Sequence, residues 1–266
     1  MSNTISPLAT PVAVPVAGGT VSAHVTGGIG RIAFHHPKGN SLPGALLREL
    51  AATITRVAAD PDARVLLLSS GGAGAFCAGA SFDELVRVRT PEEGREFFSG
   101  FAGVILAMLR APQFVVTRVQ GRAAGGAVGL IAASDLSFAV AGASAKLSEL
   151  AIGIGPFVVG PVIERKIGLA AFSAMAANAD WRDAAWAERH GLYSFVFDTE
   201  QAMDAAIEAE LQKLATYSPE AMAQLKRVFW AGTESWDALL AERAMMSGTL
   251  VLSEFTRAAI ARFNAR

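Results

Sequence analysis

Apolar positions along the first 140 residues follow two alternating periods. Short apolar runs with β-branched and aromatic residues are typical of strands, and the longer segments between them repeat at helical spacing. Strands that alternate with helices predict an α/β layered core. The strand-like runs are 21–25, 30–36, 64–70, 114–121 and 136–141. The helix-like segments are 43–60, 93–110 and 124–134.

The pattern changes along the chain and suggests three regions. Three prolines and scattered Ser and Thr indicate an extended leader over 1–19, and the glycines between the first two strand-like runs indicate a hairpin. Residues 20–199 hold the α/β core, which ends after a last strand-like run at 193–198. Residues 200–266 are almost wholly helical in pattern and form a C-terminal helical region.

Composition and charge narrow the function classes. The chain is 52% hydrophobic and 18% charged, so it can bury a large core, and its net charge is -1. Because basic residues are not clustered, a nucleic-acid partner is not expected. The N-terminus lacks a signal-peptide pattern, and no apolar run reaches the roughly 18 residues that a membrane span needs. A cytoplasmic protein with no membrane partner is therefore expected.

The cysteine and the histidines give no metal or disulfide signal. A lone Cys77 excludes a disulfide within the chain and a cysteine-based zinc site. The four histidines lack ligand spacing, and adjacent His35 and His36 would point to opposite faces of a strand. No metal site is expected. For Cys77, a buried structural thiol is favoured over a nucleophile.

The stretch VQGRAAGGAVGLIAASDL places Gly125, Gly126 and Gly129 within a helix-like segment. Glycine inside a helix costs about 1 kcal/mol relative to alanine, so three of them require a reason. A second glycine-rich turn, GAGAFCAGA, also follows a strand and precedes a helix. Free N–H groups at two such helix starts could form an oxyanion hole. Close helix packing across Gly125 and Gly129 is the alternative.

Other readings of these turns are weaker. GAGAFCAG is not a P-loop, since no Lys follows it, and it lacks a clean G-x-G-x-x-G dinucleotide pattern. Ser81 does not occupy a G-x-S-x-G elbow, which disfavours a hydrolase triad. Glu149 has apolar sequence neighbours, which would raise its pKa and suit proton transfer near neutral pH. A solvent-facing Glu149 is an equally open interpretation.

Two blocks, FCAGASFDEL and VQGRAAGGAVGLIAASDLSFAVAGASAKLSELAIGIGPF, resemble the crotonase superfamily of enoyl-CoA hydratases and isomerases. The resemblance extends over about residues 20–260. It implies a spiral of ββα units with a helical C-terminal trimerisation region. It also implies an acyl-CoA thioester substrate, with coenzyme A carried on the substrate rather than as a separate cofactor, and a homotrimer or a dimer of trimers.

The resemblance also assigns roles to residues. The backbone N–H groups of Ala80 and Gly126 would hold the thioester oxygen and stabilise an enolate, and Glu149 would be the general acid/base. Backbone carbonyls near Ala78 and Phe82 match the adenine-holding stretch. Lys38, in the PKGNSL turn, is a weaker candidate for contact with the coenzyme A phosphates.

The chain departs from the two-carboxylate hydratases at Gly129, where they carry a Glu. The resemblance implies isomerisation or hydration of an enoyl-CoA. The single acid, Glu149, is similar to the arrangement in some double-bond isomerases and favours isomerisation, although hydration is the commoner activity in the family. Glu84 or an acid on the 91–100 helix could still supply a second carboxylate, although Glu84 more readily fits a solvent-facing helix start. A non-catalytic acyl-CoA binder, a thioester hydrolase and a decarboxylase remain alternatives.

Two expectations concern the surroundings of the substrate. Gly129 lies three residues after Gly126, so it should share a helix face with it and border the substrate. The scattered apolar residues do not identify the acyl group. The large aromatic residues are expected in the hydrophobic core rather than in the acyl pocket. At Phe157, some relatives carry a nucleophilic Asp, so dehalogenase chemistry is disfavoured. The other aromatic candidates are Phe97, Phe98, Phe101 and Trp230.

Overall fold

The computed structural model describes residue 8 and residues 10–264 of the chain. Its strands form two sheets. The strands are β1 Val12–Val16, β2 Gly19–Thr26, β3 Ile29–His35, β4 Val65–Ser70, β5 Val115–Val119, β6 Ala123–Ala124, β7 Leu136–Val140, β8 Ser144–Lys146, β9 Arg182–Asp183 and β10 Phe195–Phe197.

The larger sheet has the order β1-β2-β3-β4-β5-β7-β10, and the smaller sheet has the order β6-β8-β9. Strands β1 to β3 pair antiparallel, and from β3 onward every pair in the larger sheet is parallel. Parallel pairing requires crossover connections, which the intervening helices provide. The predicted α/β core is therefore confirmed.

Helices cover the sheets and form the C-terminal part of the chain. They are α1 Gly44–Ala58, α2 Phe82–Leu85, α3 Pro91–Arg110, α4 Gly126–Ala133, α5 Gly160–Asn178, α6 Ala184–Arg189, α7 Glu200–Ala215, α8 Pro219–Phe229, α9 Trp236–Leu250 and α10 Glu254–Asn264. A 3-10 turn at Leu150–Ile152 precedes α5. Within the described residues, no helix is long and apolar enough to cross a membrane.

The predicted hairpin is confirmed, and its turn shows why glycine is needed. Strands β2 and β3 pair antiparallel from Thr26↔Ile29 outward, with only Gly27 and Gly28 between them. Both glycines have positive φ, as a type I′ turn requires. Within the leader predicted over 1–19, residues 12–16 are extended and pair with β2 as an edge strand. Residues 1–7 and 9 lie outside the described residues.

The core lies between the larger sheet and its helices. Strand β4, VLLLSS, is almost entirely buried, as expected for a parallel strand covered on both faces. Helix α1 turns Leu46, Leu50 and Ile54 into this core. A separate, smaller apolar cluster forms where α2 and α3 meet the C-terminal segment, and it includes Leu85.

Helices α3 and α9 cross in direct backbone contact. A Cβ added to Gly94 would lie 2.5 Å from the Gly248 Cα, and one added to Gly248 would lie 2.5 Å from the Pro91 carbonyl oxygen. Any side chain at either glycine would separate the two helices. Glycine at both positions therefore allows the backbone of α9 to pack directly against that of α3.

A buried lysine joins α8 to the core. The Lys226 side chain is 2% exposed, and its Nζ donates to the carbonyl oxygens of Met108 at 2.8 Å and Gln113 at 2.7 Å. Nζ also lies 3.0 Å from Asp135 Oδ2, which accepts the Val115 N–H. Burial lowers the pKa of Lys226, and Asp135 partly restores it. One ammonium group therefore connects α8 to the ends of α3, β5 and β7.

Replacing Lys226 by methionine should destabilise the fold. Lys226→Met would leave the buried Asp135 carboxylate without its cation, which costs about 3–5 kcal/mol when a buried pair is broken. Denaturant unfolding followed by circular dichroism measures the change. Lys213→Met, which removes an exposed lysine paired with Glu210, is the control and should leave the unfolding midpoint unchanged. Equal midpoints for the two variants would contradict the structural role of Lys226.

Candidate active site

Two glycine-rich turns meet at one edge of the molecule and are joined by backbone hydrogen bonds. The Cys77 N–H donates to the Arg122 carbonyl at 3.2 Å, and the Ala124 N–H donates to the Cys77 carbonyl at 3.0 Å. Gly79, with φ +93°, approaches so closely that an added Cβ would lie 2.8 Å from the Ala124 carbonyl oxygen. Only glycine fits there, and the two turns therefore hold a fixed relative position.

The first predicted oxyanion donor, Ala80, follows this glycine and lines a cavity. Ala80 forms a parallel bridge with Leu42, whose N–H donates to the Gly79 carbonyl and whose carbonyl accepts the Ser81 N–H. The bridge therefore uses the backbone on both sides of Ala80 and does not use the N–H of Ala80 itself.

The second predicted donor, Gly126, is the first residue of α4 and lines the same cavity. Gly125 is the N-cap, with φ 56°, and it donates its own N–H to the Lys146 carbonyl at 2.8 Å. A first-turn N–H has no partner within its helix and lies at the positive end of the helix dipole. Gly126 thus presents a backbone donor of the kind that an oxyanion requires.

Glu149 lies beside these turns. The hydrogen bond from Gly125 to Lys146 holds the following segment next to the turn at Gly125. This segment ends at Glu149, immediately before the 3-10 turn. Glu149 Oε1 would lie 3.2 Å from a Cβ added to Gly125. Of the two expectations for this residue, the buried carboxyl group is the one observed, and the solvent-facing one is wrong.

One oxygen of the Glu149 carboxyl group lacks the partner that a buried acid normally has. Its Oε2 is buried and has no hydrogen-bond partner. Burial raises the pKa of Glu149 to about 7, although hydrogen bonds with the backbone of Glu149 and Ser148 act in the opposite direction. A carboxyl group with such a pKa can both accept and donate a proton near neutral pH.

The cavity between these elements has a volume of about 170 Å³. Among the residues that line it in the described part of the chain, Glu149 is the only ionisable one, and Ser148 and Ser247 add two hydroxyl groups. The remaining lining is apolar or glycine. The cavity lining therefore combines residues of the two glycine-rich turns, one acid with a pKa of about 7 and mostly apolar side chains.

The expectation that Gly129 borders the substrate is wrong. Gly129 is buried, and an added Cβ would lie 2.6 Å from Val159 Cγ1 and 3.1 Å from Ile105 Cδ1. Val159, rather than Gly129, reaches the cavity wall. The space that a carboxylate would need at this position is therefore filled by two aliphatic side chains.

The candidates for a second carboxylate do not reach the cavity. Glu84 Oε2 accepts the Gly44 N–H at 2.7 Å, at the start of α1. On α3, Glu93 accepts the Arg89 N–H at 2.7 Å and Glu96 lies 3.6 Å from Arg48. None of these acids is among the residues that line the cavity.

The residues matched to coenzyme A lie at the cavity mouth or next to it. Ala78 and Phe82 line the cavity, and the Phe82 carbonyl already accepts the Val86 N–H within α2. Lys38 does not line it, but its ammonium group pairs with Asp83, the neighbour of Phe82. Both groups are exposed, so Lys38 remains accessible to an anion.

The division of the aromatic side chains between the core and the cavity lining differs from the one expected from the sequence. Phe97, Phe98, Phe101 and Phe157 line the cavity instead of belonging only to the core. Trp230 is absent from this lining and packs against another tryptophan.

Sequence reasoning missed Ser247, which α9 brings to the cavity through the Gly94–Gly248 crossing. It also missed Val159. The sequence signal for Ser247 was the presence of Gly94 and Gly248 inside two helix-like segments, which cross at these glycines.

Comparison with known proteins identifies the family of the chain. A family model described as enoyl-CoA hydratase/isomerase matches residues 24–261. Methylglutaconyl-CoA hydratase of Rattus norvegicus is 30% identical over 182 residues, which cover 68% of this chain but only 58% of that protein. Carnitinyl-CoA dehydratase of Proteus mirabilis is 29% identical over 218 residues, covering 80% of this chain and 82% of that protein.

Solved structures share the fold. An enoyl-CoA hydratase from Bacillus halodurans matches with a TM-score of 0.85 at 18% identity, over 91% of this chain and 99% of that one. An enoyl-CoA hydratase from Mycobacterium avium matches with a TM-score of 0.81 at 26% identity, over 94% and 97%. The α/β core with its helical C-terminal region is thus the crotonase fold. The chain therefore belongs to the enoyl-CoA hydratase/isomerase family, within the crotonase superfamily of acyl-CoA enzymes.

Proposed function

We propose that this protein moves the double bond of an enoyl-CoA thioester, with Glu149 as its single acid/base. The observation that carries the proposal is that Glu149 is the only ionisable residue in the described cavity lining. Moving a proton from one carbon to another needs one group that accepts and then returns it. A carboxyl group with a pKa of about 7 suits both tasks.

The proposed reaction has two proton transfers. The Glu149 carboxylate removes a proton from C2 of a 3-enoyl thioester, and the electron pair passes to the thioester oxygen as an enolate. The N–H groups of Ala80 and Gly126 stabilise that oxygen. The Glu149 carboxyl group then returns the proton to C4, which leaves a 2-enoyl thioester. The shift needs no cofactor other than the coenzyme A that the substrate carries.

Hydration is the second candidate, and the names of the relatives favour it, since one is a hydratase and another a dehydratase. Hydration requires that a water molecule be activated and that a proton reach the substrate. Two carboxylates usually share these tasks. Here Val159 and Ile105 fill the space beside Gly129, and this packing supports isomerisation over hydration.

The coenzyme A portion is proposed to lie along the turn that ends in α2. The adenine would contact the backbone near Ala78 and Phe82, both of which line the cavity. Lys38 would exchange its exposed partner Asp83 for a phosphate. This exchange costs little, because exposed ion pairs contribute at most about 1 kcal/mol.

The proposed assembly is a homotrimer or a dimer of trimers. Large apolar side chains are exposed on the C-terminal helices, including Val228 and Phe229 on α8 and Phe255 on α10. Exposed apolar surface of this kind marks interaction sites.

Replacing Glu149 by glutamine should abolish most activity. Glu149→Gln keeps the size of the side chain but cannot accept a proton, and the loss of a general base typically costs about 10²–10⁴-fold in rate. Turnover of 3-enoyl-CoA and hydration of 2-enoyl-CoA are measured in parallel for both proteins. Loss of the first reaction, with the second absent throughout, is the expected result.

Glu84→Gln is the matched control, because Glu84 caps α1 instead of lining the cavity. It should retain wild-type activity. Full activity of Glu149→Gln would show that the assignment is wrong. Binding without turnover, release of free thiol or release of CO₂ by the wild type would instead favour a non-catalytic binder, a hydrolase or a decarboxylase.

Activity should rise with pH through the pKa of Glu149. The first step needs the carboxylate, and burial raises the pKa of Glu149 to about 7. Below that pH the group is protonated in the free enzyme, so kcat/KM should fall about tenfold per pH unit and level off above pH 7 or so. A pH profile of kcat/KM for 3-enoyl-CoA measures this. A profile that is flat from pH 5 to 8 would contradict the role of Glu149.

The oligomeric state can be measured directly. Light scattering coupled to size exclusion should give a mass of three or six times the 27.7 kDa of one chain. A mass of one chain at micromolar concentration would contradict the proposed assembly.

A further inference from the structure

Phenylalanine is concentrated around the cavity. Of the 15 phenylalanines in the chain, five line this one chamber. They come from three separate parts of the sequence: α2, α3 and the loop before α5. The five are Phe82, Phe97, Phe98, Phe101 and Phe157.

Two of these rings lie directly against glycines. A Cβ added to Gly126 would lie 2.5–2.6 Å from three ring atoms of Phe101, and one added to Gly155 would lie 2.4–2.7 Å from three ring atoms of Phe157. Contact with several ring atoms at once means that each ring presents its face to the glycine. The backbone thus provides space for two rings in the cavity wall.

The other rings are held by one another and by aliphatic residues. Phe97 and Phe98 pack edge to face, with centroids 5.0 Å apart and planes at 88°. With Phe82, they pack on the small apolar cluster that includes Leu85 and Ile154. These three rings therefore form part of the cavity wall together with Leu85 and Ile154.

The cavity lining makes binding of a charged acyl group unfavourable. A carboxylate on the acyl chain would enter an apolar chamber whose only ionisable residue in the described lining is another acid, Glu149. A buried anion without a partner is strongly unfavourable. A quaternary ammonium group could contact the faces of the phenyl rings. However, Glu149 lies beside Gly125 at the reacting end of the cavity. A cation at the other end of the acyl group would therefore lack a counter-charge.

The volume fits a compact group. An apolar cavity of about 150 Å³ lined by Leu, Ile and Phe binds benzene. The cavity here measures about 170 Å³ and is also mostly apolar, and this volume includes the space beside Ala80, Gly126 and Glu149 that the thioester would occupy, so the acyl group must be compact. Aromatic pairs gain attraction beyond the area that they bury, when their rings stack offset or meet edge to face.

We propose that the substrate of this site is an uncharged acyl-CoA thioester whose acyl chain ends in an aromatic ring, held among Phe97, Phe98, Phe101 and Phe157. The proposal rests on the acyl-CoA activity proposed above. Its test uses saturated thioesters, which bind but cannot react, so that binding is separated from chemistry.

The test compares five ligands by isothermal titration calorimetry on the wild-type protein. They are 4-phenylbutyryl-CoA, 4-cyclohexylbutyryl-CoA, butyryl-CoA, glutaryl-CoA and 4-trimethylammoniobutyryl-CoA. The phenyl and cyclohexyl ligands have the same number of ring carbons and are both apolar, so the comparison tests the contribution of a flat aromatic ring. The phenyl ligand should bind tightest, by roughly threefold or more over the cyclohexyl ligand.

Two variants connect that preference to the residues. Phe157→Leu should remove most of the difference between the phenyl and cyclohexyl ligands while butyryl-CoA still binds, which also shows that the variant folds. Phe195→Leu changes an exposed ring that packs on Phe138, outside the cavity, and should leave the preference unchanged. Phe98→Leu serves if Phe157→Leu loses all binding. A preference that persists in both cavity variants would overturn the assignment to these rings.

The outcomes separate the two proposals. If the cyclohexyl or butyryl ligand binds as tightly as the phenyl ligand, the aromatic proposal is wrong and the acyl-CoA activity stands. Tightest binding of glutaryl-CoA or of the trimethylammonio ligand also overturns it. If no thioester binds, the proposed function itself fails.

Discussion

The site depends on one unfavourable placement, the burial of the Glu149 carboxyl group without a partner for Oε2. A charged carboxylate in such surroundings is destabilised, and this raises the pKa of Glu149 to about 7. The acid is therefore poised between its two protonation states near neutral pH. The surrounding apolar side chains do not take part in proton transfer, but they set the property on which the proposed transfer depends.

Backbone hydrogen bonds hold that acid beside the two turns that carry the proposed N–H donors. Hydrogen bonds run from the turn at Cys77 to the turn at Ala124, and from Gly125 to Lys146, three residues before Glu149. Positive φ at Gly79 and Gly125 allows these close approaches. The proposed donors and the acid thus lie on segments that backbone hydrogen bonds join directly.

Much of this could be predicted from the sequence, because local rules act there. The VLLLSS run and the Gly27–Gly28 turn specify a buried strand and a hairpin from neighbouring residues alone. Glu149 was a candidate because its sequence neighbours are apolar, but sequence alone left its direction open. That direction follows from the tertiary bond between Gly125 and Lys146.

The role of Gly129 shows where sequence reasoning fails. Helical spacing placed it on the face of Gly126, yet Val159 and Ile105, from other elements, occupy the space in front of it. The same holds for Phe101, whose ring lies against Gly126 in another helix, whereas the ring of Phe157 lies against Gly155, two residues before it. Contacts between distant segments decide which apolar residues face a cavity, and periodicity carries no information about them.

The crossing of α3 and α9 at Gly94 and Gly248 has a consequence for the order in which the site is completed during synthesis. The residues of both turns and Glu149 emerge from the ribosome well before α9, which supplies Ser247 to the cavity wall. A nascent or truncated chain that ends before Trp236 would contain the acid and both donors but would lack that wall. Water would then reach the acid, and its pKa would fall towards that of an ordinary carboxyl group. The raised pKa on which the proposed chemistry depends would therefore require α9 to be in place.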